Sequence, residues 1–244
     1  MNVLLLGANG FLGPHVMKAL RGRHNLLATD IKPPPPEFSY EWTRLDATDM
    51  NAVVAAAEGM DAIINLAVLR HDPGLAFHVN TLGTYNMMAA AVKHGIRRII
   101  NTGPQSVVAG VYERFDHGIN PDVPQHTDTR VYGLSKALGH EITRIFTENH
   151  DIYVTMFLYS HFRGTAPRHD DPPFWKPFTV SWDDAAELFR LALEMPLERL
   201  PSRFESYFVA ADIPHNQYLN EKTKRVFGWQ PTETFDQFWK RPSK

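Results

Sequence analysis

The apolar positions of this chain come in short blocks that alternate between two periods. Residues 3–6 (Val3, Leu4, Leu5, Leu6) are an unbroken apolar run, as expected of a strand buried on both faces of a parallel sheet. Just beyond it, Val16, Met17 and Leu20 recur at helical spacing and predict a helix over 14–20. The exchange then repeats. Strands are predicted over 25–29, 42–46, 61–67, 97–102 and 153–158, and helices over 51–60, over 75–95 and from Tyr132 through Ile145. Residues 178–181 and 206–210 read as further strands, and 182–195 and 220–227 as helices. The last helix is closed by Gly228 as a C-cap with Pro231 beyond it. Strands alternating with helices predict an α/β fold: a Rossmann-type doubly wound parallel sheet with a small C-terminal substrate-binding lobe. Residues 1–160 make the dinucleotide-binding core and 161–244 a smaller substrate-binding region interleaved in the same compact unit.

Three stretches break the pattern. Pro33 to Pro36 is a stiff polyproline run that cannot enter a helix or a strand. Residues 107–130 are irregular and rich in Pro, Asp and His, and loops of that length in a compact domain are usually functional. Residues 166–177 are Pro-rich and charged and read as a loop over the substrate.

The chemistry starts between the first strand and the first helix, at Gly7-Ala8-Asn9-Gly10-Phe11-Leu12-Gly13. Glycines let the backbone bend sharply and approach a pyrophosphate, and the helix N-terminus adds free N–H groups and a positive dipole end. The spacing is Gly-x-x-Gly-x-x-Gly, one position away from the general dinucleotide fingerprint. The second strand ends in Asp30, whose carboxylate can accept from both ribose hydroxyls and repels a 2′-phosphate, so NAD is expected over NADP. Asp46, at the end of the third strand, can accept from an adenine amino group or cap the next helix. The loop after the fourth strand carries Arg70, which suits an anionic substrate group and equally suits an exposed loop. Tyr132 and Lys136, four apart, share a helical face, which lets an ammonium lower a phenol pKa for proton transfer.

Composition narrows the field. A net charge of −2 gives no basic footprint for nucleic acid or an anionic membrane surface. There is no Cys, hence no disulfide, thiolate nucleophile or thiolate metal site. The twelve His form no metal-ligand pattern, so no metal is expected. No apolar run approaches the ~20 residues of a membrane span, and no signal peptide is evident, so a cytoplasmic protein is expected.

Together Gly7-x-x-Gly10-x-x-Gly13, Asp30, Asp46, Asn65-Leu66-Ala67, Asn80, Gly83-Thr84 and Tyr132-x-x-x-Lys136 followed by Glu141 resemble the extended short-chain dehydrogenase/reductases, the NAD-dependent epimerase/dehydratase branch. Ser181-Trp182-Asp183-Asp184 and Gly228-Trp229-Gln230-Pro231 carry the resemblance nearly to the C-terminus. These stretches, Pro121-Asp122-Val123-Pro124 and the short chain look like the uronate dehydrogenases within that branch, which oxidise a hexuronic acid to a lactone. The resemblance implies a small-molecule sugar or sugar-acid substrate and a homodimer whose seam would hold the helix from Tyr132 and the helix around Met87-Met88-Ala89-Ala90-Ala91. That apolar stretch equally suits an ordinary core. It implies Tyr132 as general base, Lys136 on the nicotinamide ribose, and a substrate-orienting hydroxyl at the end of the fifth strand. NAD contacts would come from Gly7, Asn9, Gly10, Phe11, Leu12 and Gly13, from Asp30, Ile31, Asp46 and Ala47, and from Leu66, Ala67, Val68, Asn80, Thr102, Tyr132, Lys136 and Tyr159. Substrate contacts would come from Arg70, Gln105, His161 and Arg163. Two positions depart from the family pattern. Gly103-Pro104 stands where Ser-Ser is usual, leaving Ser106, or else Thr102, to supply the hydroxyl. The uronate-binding arginine aligns near Phe174, with Lys176, Arg168, Arg163 and Arg70 as substitutes.

Overall fold

The structure is a computed structural model that describes residues 1–34, 40–109, 117–164, 178–213 and 217–236. Pro35 and Pro36, the predicted loop over 166–177 with Arg168, Phe174 and Lys176, and part of the stretch 107–130 lie outside the described residues.

Among the described residues nine strands are formed: β1 (Asn2–Leu6), β2 (Asn25–Asp30), β3 (Glu41–Arg44), β4 (Ala62–Asn65), β5 (Arg98–Pro104), β6 (Tyr153–Tyr159), β7 (His161–Arg163), β8 (Thr179–Ser181) and β9 (Phe204–Phe208). Seven of them make one sheet in the order β3-β2-β1-β4-β5-β6-β9, every neighbouring pair parallel. The helices are α1 (Gly13–Leu20), α2 (Met50–Ala56), α3 (Pro73–Phe77), α4 (Gly83–His94), α5 (Ser106–Ala109), α6 (Val131–Asn149), α7 (Trp182–Glu194) and α8 (Glu221–Phe227). This is the doubly wound, Rossmann-type arrangement. The period-two rule shows in β1. Val3 and Leu5 meet Val16 and Leu20 of α1 and Phe189 of α7, while Leu4 and Leu6 meet Val53 of α2 and Met87 and Met88 of α4. The strand order reverses between β1 and β4, so a crevice opens beyond their carboxyl ends, where ligands bind in such sheets.

Residues past 160 do not stand apart from this sheet. β9 extends it beside β6, and α7 and Trp229 share the core of α1. Asp184 ties the C-terminal segment to α7. Its carboxylate accepts from Thr232 N, Thr232 Oγ1 and Glu233 N at 2.9, 2.8 and 3.1 Å, and its carbonyl accepts from Trp229 Nε1 at 2.9 Å. The cap of α7 is Ser181, whose Oγ accepts from Asp184 N. β7 and β8 pair with each other as a separate parallel ribbon.

Two elements differ from the sequence expectation. The single helix over 75–95 is α3 and α4 joined by a π-helical turn, His78–Leu82, which rotates Asn80 into the interior. β5 runs on through Gly103 and Pro104, which pair with Leu158 and Tyr159, so the residues expected to begin a loop complete the strand. The stretch 87–91 goes mainly to the core: Met87, Met88, Ala90 and Ala91 are fully buried.

Candidate active site

The glycine turn is shaped by contacts that leave no room for side chains. Gly7 has φ +79°, and a Cβ there would lie 2.6 Å from Ala67 N. A Cβ on Gly13 would lie 2.0 Å from the Ala8 carbonyl oxygen, so α1 can start tight against the turn only with glycine at this position. Asp30 braces the turn from the end of β2, where its carboxylate accepts from Asn9 N and Lys32 N, both at 3.0 Å. Phe11 and Ile31 are exposed beside it.

A cavity of about 310 Å³ opens along the carboxyl ends of the central strands. Of the expected NAD residues, Asn9, Gly10, Phe11, Leu12, Leu66, Val68, Thr102, Tyr132, Lys136 and Tyr159 line it. Gly7, Gly13 and Asp30 shape the turn behind them. Of the expected substrate residues, Arg70 lines the cavity and Gln105, His161 and Arg163 do not. His161 and Arg163 sit in the β7–β8 ribbon, and Arg163 is buried.

Other expectations need correction. Asn80 does not face the cavity. Its amide accepts from Leu69 N at 3.1 Å and donates to Leu69 O and Ser135 Oγ at 2.7 and 3.0 Å, so it holds the Arg70 loop against α6. Asp46 does not cap α2. It accepts from Thr48 N and Oγ1, while Asp49 caps the helix through Asn51 N and Ala52 N. Ala47 is buried, and its carbonyl accepts from Asn86 Nδ2 at 3.0 Å. Ser106 is buried outside the cavity, with its Oγ 3.6 Å from where a Cβ on Gly133 would sit. The backbone of Pro104 holds β6 at this point, and the turn into α5 carries Ser106 away from the cavity.

Tyr132 and Lys136 both reach the cavity from α6, as their spacing requires. Lys136 Nζ donates to the carbonyls of Ala67 and Thr102 at 3.1 and 3.2 Å. Burial, and then the nearby Arg70 charge, pushes its pKa down to about 7. Burial raises the Tyr132 phenol pKa. What opposes that rise is the charge of Arg70, whose Cζ lies over the ring, 5.3 Å from its centroid. Arg70, from a loop remote in sequence, is thus a cation over the Tyr132 ring that helical spacing did not point to, in addition to Lys136 in the same cavity.

Lys32, Ser160, Phe162 and Trp182 also line the wall, and of these sequence reasoning missed Lys32 and Trp182. Phe162 stacks on Trp182 with centroids 4.4 Å apart and planes 9° apart. Tyr159 continues the stack on one side and His15 on the other, at 4.9 and 5.3 Å. The signal available was Trp182 directly after the strand-like 178–181, though no periodicity says what a first-turn tryptophan faces. Tyr159 also carries a buried hydroxyl with no hydrogen-bond partner among the described residues.

Residues 3–174 match the model of the NAD dependent epimerase/dehydratase family. The chain belongs to that family. An NAD-dependent glucose-6-phosphate dehydrogenase of Haloferax volcanii is 26% identical, over 97% of this chain and 95% of that protein. A uronate dehydrogenase of Pseudomonas putida is 32% identical, over 62% of this chain and 57% of that protein. The crystal structure of uronate dehydrogenase from Agrobacterium tumefaciens superposes with a TM-score of 0.82 at 23% identity, covering all of this chain and 91% of that one, and shows the same fold. The family's cofactor is NAD, and the site suits it: a side-chain-free cradle at Gly7, Gly10 and Gly13, Asp30 at the end of β2, and a cavity running from that cradle to Tyr132.

Proposed function

We propose that this epimerase/dehydratase-family chain is an NAD-dependent oxidoreductase that oxidises a hydroxyl of a sugar or sugar acid, in the manner of a uronate dehydrogenase. The observation that carries the reading is the convergence of the glycine cradle, Tyr132 and Lys136 on one cavity. Tyr132 takes the substrate hydroxyl proton, Lys136 offers its ammonium to the nicotinamide ribose, and Asp30 accepts from the adenosine ribose hydroxyls. NAD, when bound, supplies the hydride acceptor. Arg70 is the cavity cation nearest Tyr132 and suits a substrate carboxylate. Phe162 and Trp182, from the region 161–244, give the substrate an apolar wall. Such an enzyme works in the cytoplasm, where its NAD is. It pairs with a second copy through the apolar side chains that α4 and α6 leave exposed.

The test is NADH formation by purified protein with galacturonate, glucuronate, glucose 6-phosphate and neutral hexoses, each with NAD and with NADP. Tyr132→Phe should lower kcat by about 100-fold or more while leaving NAD binding by calorimetry intact. Wild type should prefer NAD, and Asp30→Ala should erode that preference. Absence of turnover on every sugar with NAD bound would discard the oxidoreductase reading.

A further inference from the structure

We infer that Arg70 offsets the loss of a hydroxyl at Gly103-Pro104 by a different route: its guanidinium stabilises the phenolate of Tyr132, the base that takes the substrate hydroxyl proton. This rests on the reading of Tyr132 as general base. Neither Gly103 nor Pro104 can donate from a side chain, although both line the cavity beside Tyr132. Thr102 has committed its hydroxyl proton to Asn65 O at 2.9 Å, and Ser106 lies outside the cavity. Lys136 is directed at two backbone carbonyls.

Arg70 alone among these side chains is both in the cavity and on the phenol, 5.3 Å from the Tyr132 centroid. It makes no salt bridge among the described residues. The titratable groups around Tyr132 are Arg70 from the loop after β4, Lys136 from α6, Lys32 from the loop after β2 and Tyr159 from β6. Asp128, near Gly133, is already paired with Arg130. No described acid therefore opposes Arg70 at the phenol. In the step itself the hydroxyl proton passes to the Tyr132 oxygen and the carbon-bound hydrogen leaves as hydride to NAD, forming a carbonyl. Arg70 acts through its charge and loses no proton. The loop that carries it is fixed by Asn80 at Leu69, one residue away.

The experiment compares wild type, Arg70→Met and Arg70→Lys. Arg70 is exposed, so the substitutions leave the core intact. The first readout needs neither substrate nor NAD: the ultraviolet phenolate titration of Tyr132, taken as the difference from the same protein carrying Tyr132→Phe. The second is kcat against pH, and the third is KM for a uronate and a neutral sugar. Arg70→Met should shift the Tyr132 phenolate and the rising limb of kcat to higher pH. The rate at pH 7 should fall about tenfold or more and recover as pH rises. Added guanidinium ion should restore part of it, and Arg70→Lys should fall between. An unchanged Tyr132 titration, with only the KM for uronates raised, would overturn the inference and leave Arg70 as a carboxylate ligand. A shifted titration in a protein that turns over no sugar would support the Arg70–Tyr132 pairing while sinking the proposed function, so the two failures are distinct.

Discussion

Lys136 shows how one side chain links the site to stability. It is 5% exposed, and burial lowers its pKa from the usual 10.5 to about 7. Between those values the unfolded chain holds the proton more tightly than the folded one, so this residue makes stability rise with pH across that window. Below about pH 7 both states are protonated and the full cost of the buried charge is present. Lys136→Met should therefore raise the denaturation midpoint most at pH 7 and below, with the gain fading toward pH 10.5. A gain independent of pH would mean that packing, not charge, decides. Gly13 is a steric case. Gly13→Ala places a methyl 2.0 Å from a backbone oxygen and should cost about 3 kcal/mol in urea unfolding, with loss of NAD affinity. The placement of the glycines, Asp30, Tyr132 and Lys136 around one crevice was legible in the sequence because it follows from spacing within one βα or helical unit. The Arg70–Tyr132 contact was not, because it joins residues 62 positions apart through a loop whose path depends on Asn80.

The elements were legible where period and burial agree. Strands β1, β2, β4 and β6 are apolar runs with little alternative. The π-turn at His78–Leu82 was not, since one extra residue in a turn leaves the helical spacing of apolar positions almost unchanged. The start of α7 was legible only in part. Its first-turn acids look like caps, yet Ser181 caps the helix, Asp183 meets His15 and Lys18 of α1, and Asp184 binds the C-terminal segment. These three residues should differ in cost. Ser181→Ala should lose about 1 kcal/mol, as helix caps do. Asp184→Ala removes a buried carboxylate that accepts three hydrogen bonds from the C-terminal segment and should lose about 2 kcal/mol or more. Asp183→Ala touches an exposed pair and should change stability by less than about 1 kcal/mol. Equal losses at Asp183 and Asp184 in chemical denaturation would contradict this ranking.

At the scale of the whole molecule, the sheet order fixes where chemistry happens, and the helix layers fix what is left for a partner. The crevice beyond β1 and β4 receives the glycine turn, the Arg70 loop and the end of α6 together, although these are distant in sequence. On the far side of the α4–α6 layer, Met87, Met88, Ala90 and Ala91 are used up in the core, and Leu82, Tyr85, Val92, Leu138 and Ile145 stay exposed. Residues 82, 85 and 92 share one face of the π-turn and α4, and 138 and 145 share one face of α6, two full turns apart. Exposed apolar side chains on two neighbouring helices are what a two-fold helical seam buries, since each copy offers the same face to the other. For the proposed dimer, Leu138→Glu on this face of α6 should give a monomer in light scattering after size exclusion. Its effect on the monomer's own core should be slight, because the side chain is already 43% exposed. Wild type running as a monomer at micromolar concentration would dismiss the seam. The contrast between Met87–Met88 and Leu82–Tyr85 also marks the limit of reading pattern alone: both stretches are apolar, and only the rotation of α4 against the sheet decides which one is left for a partner.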